Sequence, residues 1–273
     1  MAIAGPLLLV GCGKMGGALL DGWLGHGLGA RDAYVVEPDA GLREALRERH
    51  GVVALAEPKM LPTELAPRAL VFAIKPQAMA AVLPAYETLA QTGAVVLSIA
   101  AGTAIARFEA AFGGATPVVR AMPNTPAAIG RGVTAMVANR HVRAAQKELC
   151  SALMEAVGTV HWIDDEDLMH AITAMSGGGP AYLFLLIECL AKAGIASGLP
   201  AELAWPLARG TIAGSGALAA ASDEPAEVLR RNVTSPGGTT QAALAVLMAE
   251  EGGIQPLFER AVAAGTRRSR ELA

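Results

Sequence analysis

The sequence predicts a doubly wound, mainly parallel α/β sheet over residues 1–163 and an all-helical domain over residues 164–273. Three observations carry that expectation. Short apolar runs alternate with helical patterns up to residue 163, a glycine-rich turn joins the first run to the first helix, and after Asp164 the strand patterns stop. Alternating β and α units imply a parallel sheet with helices on both faces.

Taken in order, apolar runs at 6–11, 33–37, 69–74, 94–99 and 116–121 read as strands, with helical patterns at 15–27, 42–50, 77–90 and 104–111 between them. A further pair of strands, 134–138 and 159–163, flanks a helix at 142–157 and finishes the sheet. The acids of "DDEDLMHAITAM" suit a helix N-terminus. "PAYLFLLIECLAKAGIASG" begins at Pro180 and ends near Gly198, the expected asymmetry of helix ends. It is apolar on nearly every side, so something covers it all round. Helices at 201–221, 224–231, 239–251 and 254–269 follow, and Gly210, Gly214 and Gly216 give one of them a small-residue face. So few polar faces point to burial against a second subunit, with a core closed inside one chain as the alternative.

The chain of 273 residues is 53% hydrophobic and 17% charged, which allows a sizeable core and excludes disorder. A net charge of −3 with no basic block argues against nucleic acid. Cys12, Cys150 and Cys189 are far apart and odd in number, which suits a reducing compartment, so a cytoplasmic protein is expected. The apolar start lacks a basic leading region and reads as a buried strand rather than a leader. The run "AYLFLLIECLAKAG" is shorter than a membrane span needs and carries Glu188 and Lys192, so no membrane partner is expected. His26, His50, His141, His161 and His170 show no metal-ligand spacing, and no metal is expected.

"GCGKMG" places Gly11, Gly13 and Gly16 in the G-x-G-x-x-G pattern between a strand and a helix. Gly11 permits the tight turn, Gly13 lets a pyrophosphate approach the backbone, and Gly16 lets helix and strand pack closely. With Cys12, Lys14 and Met15 these residues form a candidate dinucleotide turn of the Rossmann kind, its helix N–H groups facing the phosphates. Glu37 ends the second strand, 21 residues past Gly16. An acid there accepts hydrogen bonds from the adenosine ribose and repels a 2′-phosphate, which leans to NADH over NADPH; the nearest following base is Arg43. The plain alternative is that Glu37 points to solvent. "AIKPQ", with Lys75 and Pro76, and "SIAAGT", with Ala100, end two further strands where such sheets bind ligands. Each could also be only a βα turn, and Lys75 a solvent-facing lysine.

"RAMPNTPAAIGRG" at 120–132, "SGGGPAY" at 176–182 and "SPGGTT" at 235–240 complete a recognisable set. With "GCGKMG" and "IKPQ", in this order and at these intervals, the chain resembles the pyrroline-5-carboxylate reductase family from about residue 7 to 270. That resemblance implies a Rossmann domain plus a helical domain that interlocks with a second subunit, as a homodimer or a ring of dimers. It implies NADPH- or NADH-dependent reduction of 1-pyrroline-5-carboxylate to proline, with active sites at the dimer interface. Two departures stand out. Gly178 replaces the second serine of the family's "SGSGPAY", removing one hydroxyl. Glu37 is an acid where many members, favouring NADPH, have none.

A small cyclic imino acid offers a carboxylate and a C=N bond. "SPGGTT" leading into a helix presents backbone N–H groups and the positive helix end to a carboxylate, which makes Ser235, Gly237, Gly238, Thr239 and Thr240 candidate substrate residues. The bland reading is that Ser235 only caps the next helix. The resemblance places the Thr240 hydroxyl against the ring nitrogen. No obvious proton donor stands in the motifs, and an iminium already carries its proton. Asn124 of "MPNTP" either hydrogen-bonds the cofactor or holds the loop between two prolines, the second being slightly favoured. Tyr182 reads as helix packing more readily than as a catalyst. Two rival functions remain: a β-hydroxyacid-dehydrogenase-like enzyme, which would depend on Lys192, and a cofactor-binding dimerisation protein without turnover.

Overall fold

The computed structural model describes residues 3–272. Residues 3–177 with 265–272 form one compact unit, and residues 178–264 form a second. Residues 164–177 thus pack with the sheet-containing unit.

The first unit is built on eight strands: β1 Leu7–Val10, β2 Ala33–Val36, β3 Val53–Leu55, β4 Ala69–Phe72, β5 Val95–Ser98, β6 Val118–Met122, β7 Gly132–Ala138 and β8 Gly158–Trp162. Their order is β3-β2-β1-β4-β5-β6-β7-β8, parallel throughout except where β6 meets β7. Around them run α1 Lys14–Gly25, α2 Ala40–His50, α3 Met79–Val82, α4 Glu87–Ala90, α5 Ile105–Phe112, α6 Ala144–Glu155 and α7 Leu168–Ile172. Side chains alternate across each strand, and both faces are buried. Leu7 and Leu9 join Leu19, Leu20, Trp23 and Leu153 on one side, while Leu8 and Val10 join Phe72, Tyr86, Phe108 and Phe112 on the other. The second face is aromatic, with Phe72 edge-on to Tyr86 at 5.5 Å. On the first, the Trp23 indole N–H donates to the Leu153 carbonyl at 2.8 Å, so the polar tip of that buried ring is satisfied.

Two elements differ from the sequence reading. The short strand β3 pairs with β2 at the sheet edge. The stretch read as one helix at 77–90 is broken into α3, α4 and 3₁₀ turns at Pro76–Ala78 and Leu83–Tyr86. Pro84 cannot donate to the preceding turn, which shortens each piece.

The second unit is helical: α8 Gly179–Ala196, α9 Ala201–Ala221, α10 Ala226–Asn232, α11 Thr239–Leu247 and the start of α12 Ile254–Glu271. α8 and α9 form a hairpin in which the Cβ missing from Gly194 would lie 3.2 Å from Leu199. Leu183, Phe184, Leu185, Leu186 and Leu190 of α8 are exposed in the single chain. The helical stretch Leu168–Ala196 is 29 residues long and, by length and composition alone, apolar enough to cross a membrane, as core helices of soluble proteins also are. The apolar run from Ala181 continues a helical stretch begun thirteen residues earlier at Leu168, so length alone does not exclude a span, although Glu188 and Lys192 still interrupt it.

Candidate functional site

The residues proposed for the cofactor lie along one edge of the sheet. The backbone ladder continues past the strand ends: Gly11 N–H donates to Val36 O, Glu37 N–H to Leu55 O, Ala73 N–H to Val10 O and Ile99 N–H to Phe72 O. This aligns the turns after β1, β2, β4 and β5 at their C-terminal ends. β1 and β4 are neighbours at the centre, where the strand order reverses, the position at which open α/β sheets bind ligands.

Each fingerprint glycine has a physical reason. Gly11 sits at φ +83°, and a Cβ there would meet Ile74 at 2.6 Å. A Cβ on Gly16 would lie 2.6 Å from the Gly11 carbonyl oxygen. Gly13 is different: it is exposed, with nothing within 4 Å of where its Cβ would be. The open space before the α1 N-terminus is a cradle that a pyrophosphate fits. Lys14 is exposed and Met15 half-buried beside it.

Glu37 does not point to solvent. It is 7% exposed, and its carboxylate accepts from the Cys12 N–H at 2.8 Å and the Asp39 N–H at 3.0 Å. Burial and the Glu37 charge push the Cys12 thiol up to about 12, so that thiol is neutral at physiological pH. Lys75 is exposed, while Ala100 is buried with its N–H on the Ser98 hydroxyl at 3.3 Å. Pro76, Gln77, Gly102, Thr103, Thr173 and Ser269 line a cleft of about 450 Å³ at the ends of β4 and β5. Ser269 also meets His170 Nδ1 at 3.0 Å. The return of residues 265–272 to this cleft has no signature in the spacing of the sequence.

Asn124 acts as a clamp. Its side-chain oxygen accepts from the Val133 N–H at 2.9 Å, and its amide nitrogen reaches the Ser176 carbonyl at 3.3 Å and hydroxyl at 3.4 Å. It ties "MPNTP" to β7 and to the π-turn Thr173–Gly177. Arg120, 3% exposed, donates to Glu166 Oε1 at 2.8 Å, and the same oxygen takes the Ile105 N–H at 3.0 Å. Nothing in the sequence spacing marks that pair.

In the second unit, "SPGGTT" forms a turn with Gly237 at φ +70° and the Gly238 N–H on Ser235 O at 3.0 Å. Gly238 is the N-cap of α11, and no side chain caps it. Ser235 is therefore not the cap; instead Gln241 reaches back to the Gly237 N–H. Ser235, Gly237, Thr239 and Thr240 are exposed. The N–H groups of the first helical turn have no partner inside a helix, so those of Thr239, Thr240 and Gln241 face out of its start. Tyr182 packs edge-on to Phe258 at 6.2 Å. Lys192 is exposed and lies 3.4 Å from Glu188 on the same helix.

Residues 7–102 match a family model described as NADP oxidoreductase, coenzyme F420-dependent, and residues 166–272 match one described as pyrroline-5-carboxylate reductase dimerisation. The pyrroline-5-carboxylate reductase of Pseudomonas aeruginosa is 39% identical over 98% of this chain and 96% of its own. The chain belongs to the pyrroline-5-carboxylate reductase family. Among solved structures of that family, the Coxiella burnetii enzyme superposes with a TM-score of 0.92 at 33% identity, covering 98% of both chains. A Plasmodium falciparum pyrroline carboxylate reductase with NADP bound gives 0.81 at 29% identity, covering 97% of both.

Proposed function

We propose that this chain reduces the C=N bond of 1-pyrroline-5-carboxylate to give L-proline, the last step of proline synthesis, as a homo-oligomer. The observation that carries the reading is the "SPGGTT" turn: a positive-φ glycine and an uncapped helix start put several N–H donors and a partial positive charge on one exposed spot. A carboxylate suits that spot. The bound NAD(P)H supplies the hydride.

In this reading Ser235 and the N–H groups around Gly237, Gly238 and Thr239 hold the carboxylate. The Thr240 hydroxyl accepts from the protonated ring nitrogen and so fixes which carbon is presented. Hydride adds to the imine carbon, the C=N π pair moves onto nitrogen, and the nitrogen keeps the proton it arrived with. The first product is a neutral secondary amine, so no side chain has to deliver a proton in that step. Orientation and charge complementarity carry the catalysis. Lys14, Met15, Lys75, Pro76 and Ala100 border the cofactor, while Asn124 holds the loop beside it.

The exposed apolar side of α8 is the face a second copy of the chain covers, and a ring of dimers is the larger assembly to look for. The free cysteines Cys12, Cys150 and Cys189 suit the cytoplasm.

Following NAD(P)H oxidation on addition of 1-pyrroline-5-carboxylate tests the reading. Turnover to proline is expected, and dinucleotide binding without turnover would leave a silent binding protein. A Lys192→Ala variant is expected to keep full activity. Loss of activity there would favour the hydroxyacid-dehydrogenase-like alternative.

A further inference from the structure

We propose that the adenosine end of the cofactor site is built for a free ribose diol, so that this reductase takes NADH in preference to NADPH, with Glu37 as the residue that decides. The inference rests on the dinucleotide reading above and names which dinucleotide is meant. Three observations meet at the end of β2.

The first is where the carboxylate is held. Glu37 is buried, yet its two oxygens take only backbone donors, the Cys12 and Asp39 N–H groups. The Cys12 bond fastens the carboxylate to the glycine turn itself, beside the open cradle at Gly13. A carboxylate has about four lone-pair sites, so about two remain for a pair of vicinal hydroxyls.

The second is the neighbouring slot. A pocket of about 330 Å³ is lined by Gly11, Pro38, Ala56, Ile74, Ala78 and Val82 among others. Its lining is predominantly apolar, which suits a purine ring. No basic side chain lines it.

The third is the state of the nearby cations. Arg43 is the obvious receiver for a 2′-phosphate, but its Nη1 is spent on the carbonyls of Glu37, at 2.8 Å, and Pro38, at 2.7 Å. Lys59 pairs with Glu57 at 2.8 Å. Asp39 adds a second acid, whose Oδ1 accepts the Leu42 N–H at 2.8 Å as the cap of α2. A 2′-phosphate would therefore meet a fixed carboxylate, while the nearest guanidinium is anchored through Nη1 to the carbonyls of Glu37 and Pro38 rather than held towards the ribose. Bringing like charges together costs several-fold to many-fold in affinity.

The test is direct binding of NADH and NADPH to the unliganded protein by calorimetry, without imine substrate, with turnover measured separately. The wild type is expected to bind NADH tighter by about tenfold or more. Glu37→Gln, which removes the charge and keeps one acceptor for the turn, is expected to close that ratio to within about threefold, mainly by tighter NADPH. Arg43→Ala is expected to leave the ratio unchanged. Should Glu37→Gln fail to fold, judged by its thermal unfolding, the wild-type ratio alone decides. Tighter NADPH than NADH in the wild type, or a selective loss of NADPH in Arg43→Ala, overturns the inference and leaves the dinucleotide reading intact. Binding of neither dinucleotide overturns both.

Discussion

At the scale of single residues, the fingerprint glycines separate two jobs that the pattern alone does not distinguish. Gly16 is a packing glycine, because a Cβ would sit 2.6 Å from a backbone oxygen of the same turn. Gly16→Ala should lower the melting temperature, at a cost of about 1–3 kcal/mol, and abolish dinucleotide binding together with it. Gly13 faces open space. Gly13→Ala should melt like the wild type and still bind dinucleotide at least about tenfold more weakly, a loss of about 1.4 kcal/mol. Equal melting losses in the two variants would show the cradle to be structural only. The buried thiols make a pH prediction. Burial favours the neutral form, raising Cys12 and Cys150 from 9.0 to about 12. A raised folded pKa means that the contribution to stability is whole below pH 9 and is lost as pH climbs towards 12. Melting temperature should therefore fall across that alkaline window, and less steeply in Cys150→Ala. Glu37 was readable as an acid at the end of a strand. Its burial and its bond to the Cys12 N–H were not, because both depend on the neighbouring turn.

At the scale of elements, the pair Arg120–Glu166 joins β6 to the segment before α7 across 46 positions of sequence. The Arg120 side chain is 4% exposed and that of Glu166 30%, so the guanidinium is the group at risk. Glu166→Ala leaves it buried without its partner and should cost about 3–5 kcal/mol, read as a lower urea midpoint with the unfolding slope unchanged. Glu166→Gln should lose less, because the Ile105 N–H keeps an acceptor. Long-range pairs of this kind leave no trace in local spacing, which is why neither residue stood out. The strands of the sheet were legible because each is a compact apolar run buried on both faces. β3 was not: it is three residues long and only its middle one, Ala54, is buried. The break of the 77–90 stretch was missed, because the helical pattern was read through Pro84, whose missing N–H outweighs it. Of the site, the turns after β1, β4 and β5 followed from glycines and prolines at strand ends. The clamp by Asn124 was half-read, since "MPNTP" suggested a held loop but not the Ser176 partner 52 residues on.

At the scale of the whole molecule, one helix decides the state of assembly. Consecutive residues on a helix are turned by about 100°, so Leu183, Phe184, Leu185 and Leu186 together go round nearly its full circumference. All four are exposed, at 44%, 62%, 57% and 38%, and of α8 only Ala191 is fully buried. Leaving that surface in water forfeits about 25 cal/mol per Å² of apolar area that a partner could cover. On α9, Gly210, Gly214 and Gly216 have nothing within 4 Å of a built Cβ, which leaves room for a second backbone to come close. An isologous contact with a second copy of the chain is the arrangement expected to cover both faces at once. Phe184→Asp puts a charge where that copy should sit. It should shift the protein from an oligomer to a monomer of 27.9 kDa in sedimentation velocity. Because Phe184 lies outside the unit that carries the dinucleotide turn, NADH binding should stay within about threefold of the wild type, a difference below about 0.7 kcal/mol. Turnover should fall much further, since the proposed substrate turn depends on an assembled helical unit. A wild-type chain that sediments as a monomer, or a Phe184→Asp variant that stays oligomeric with full turnover, would remove α8 from the interface and leave its exposed leucines without a physical reason.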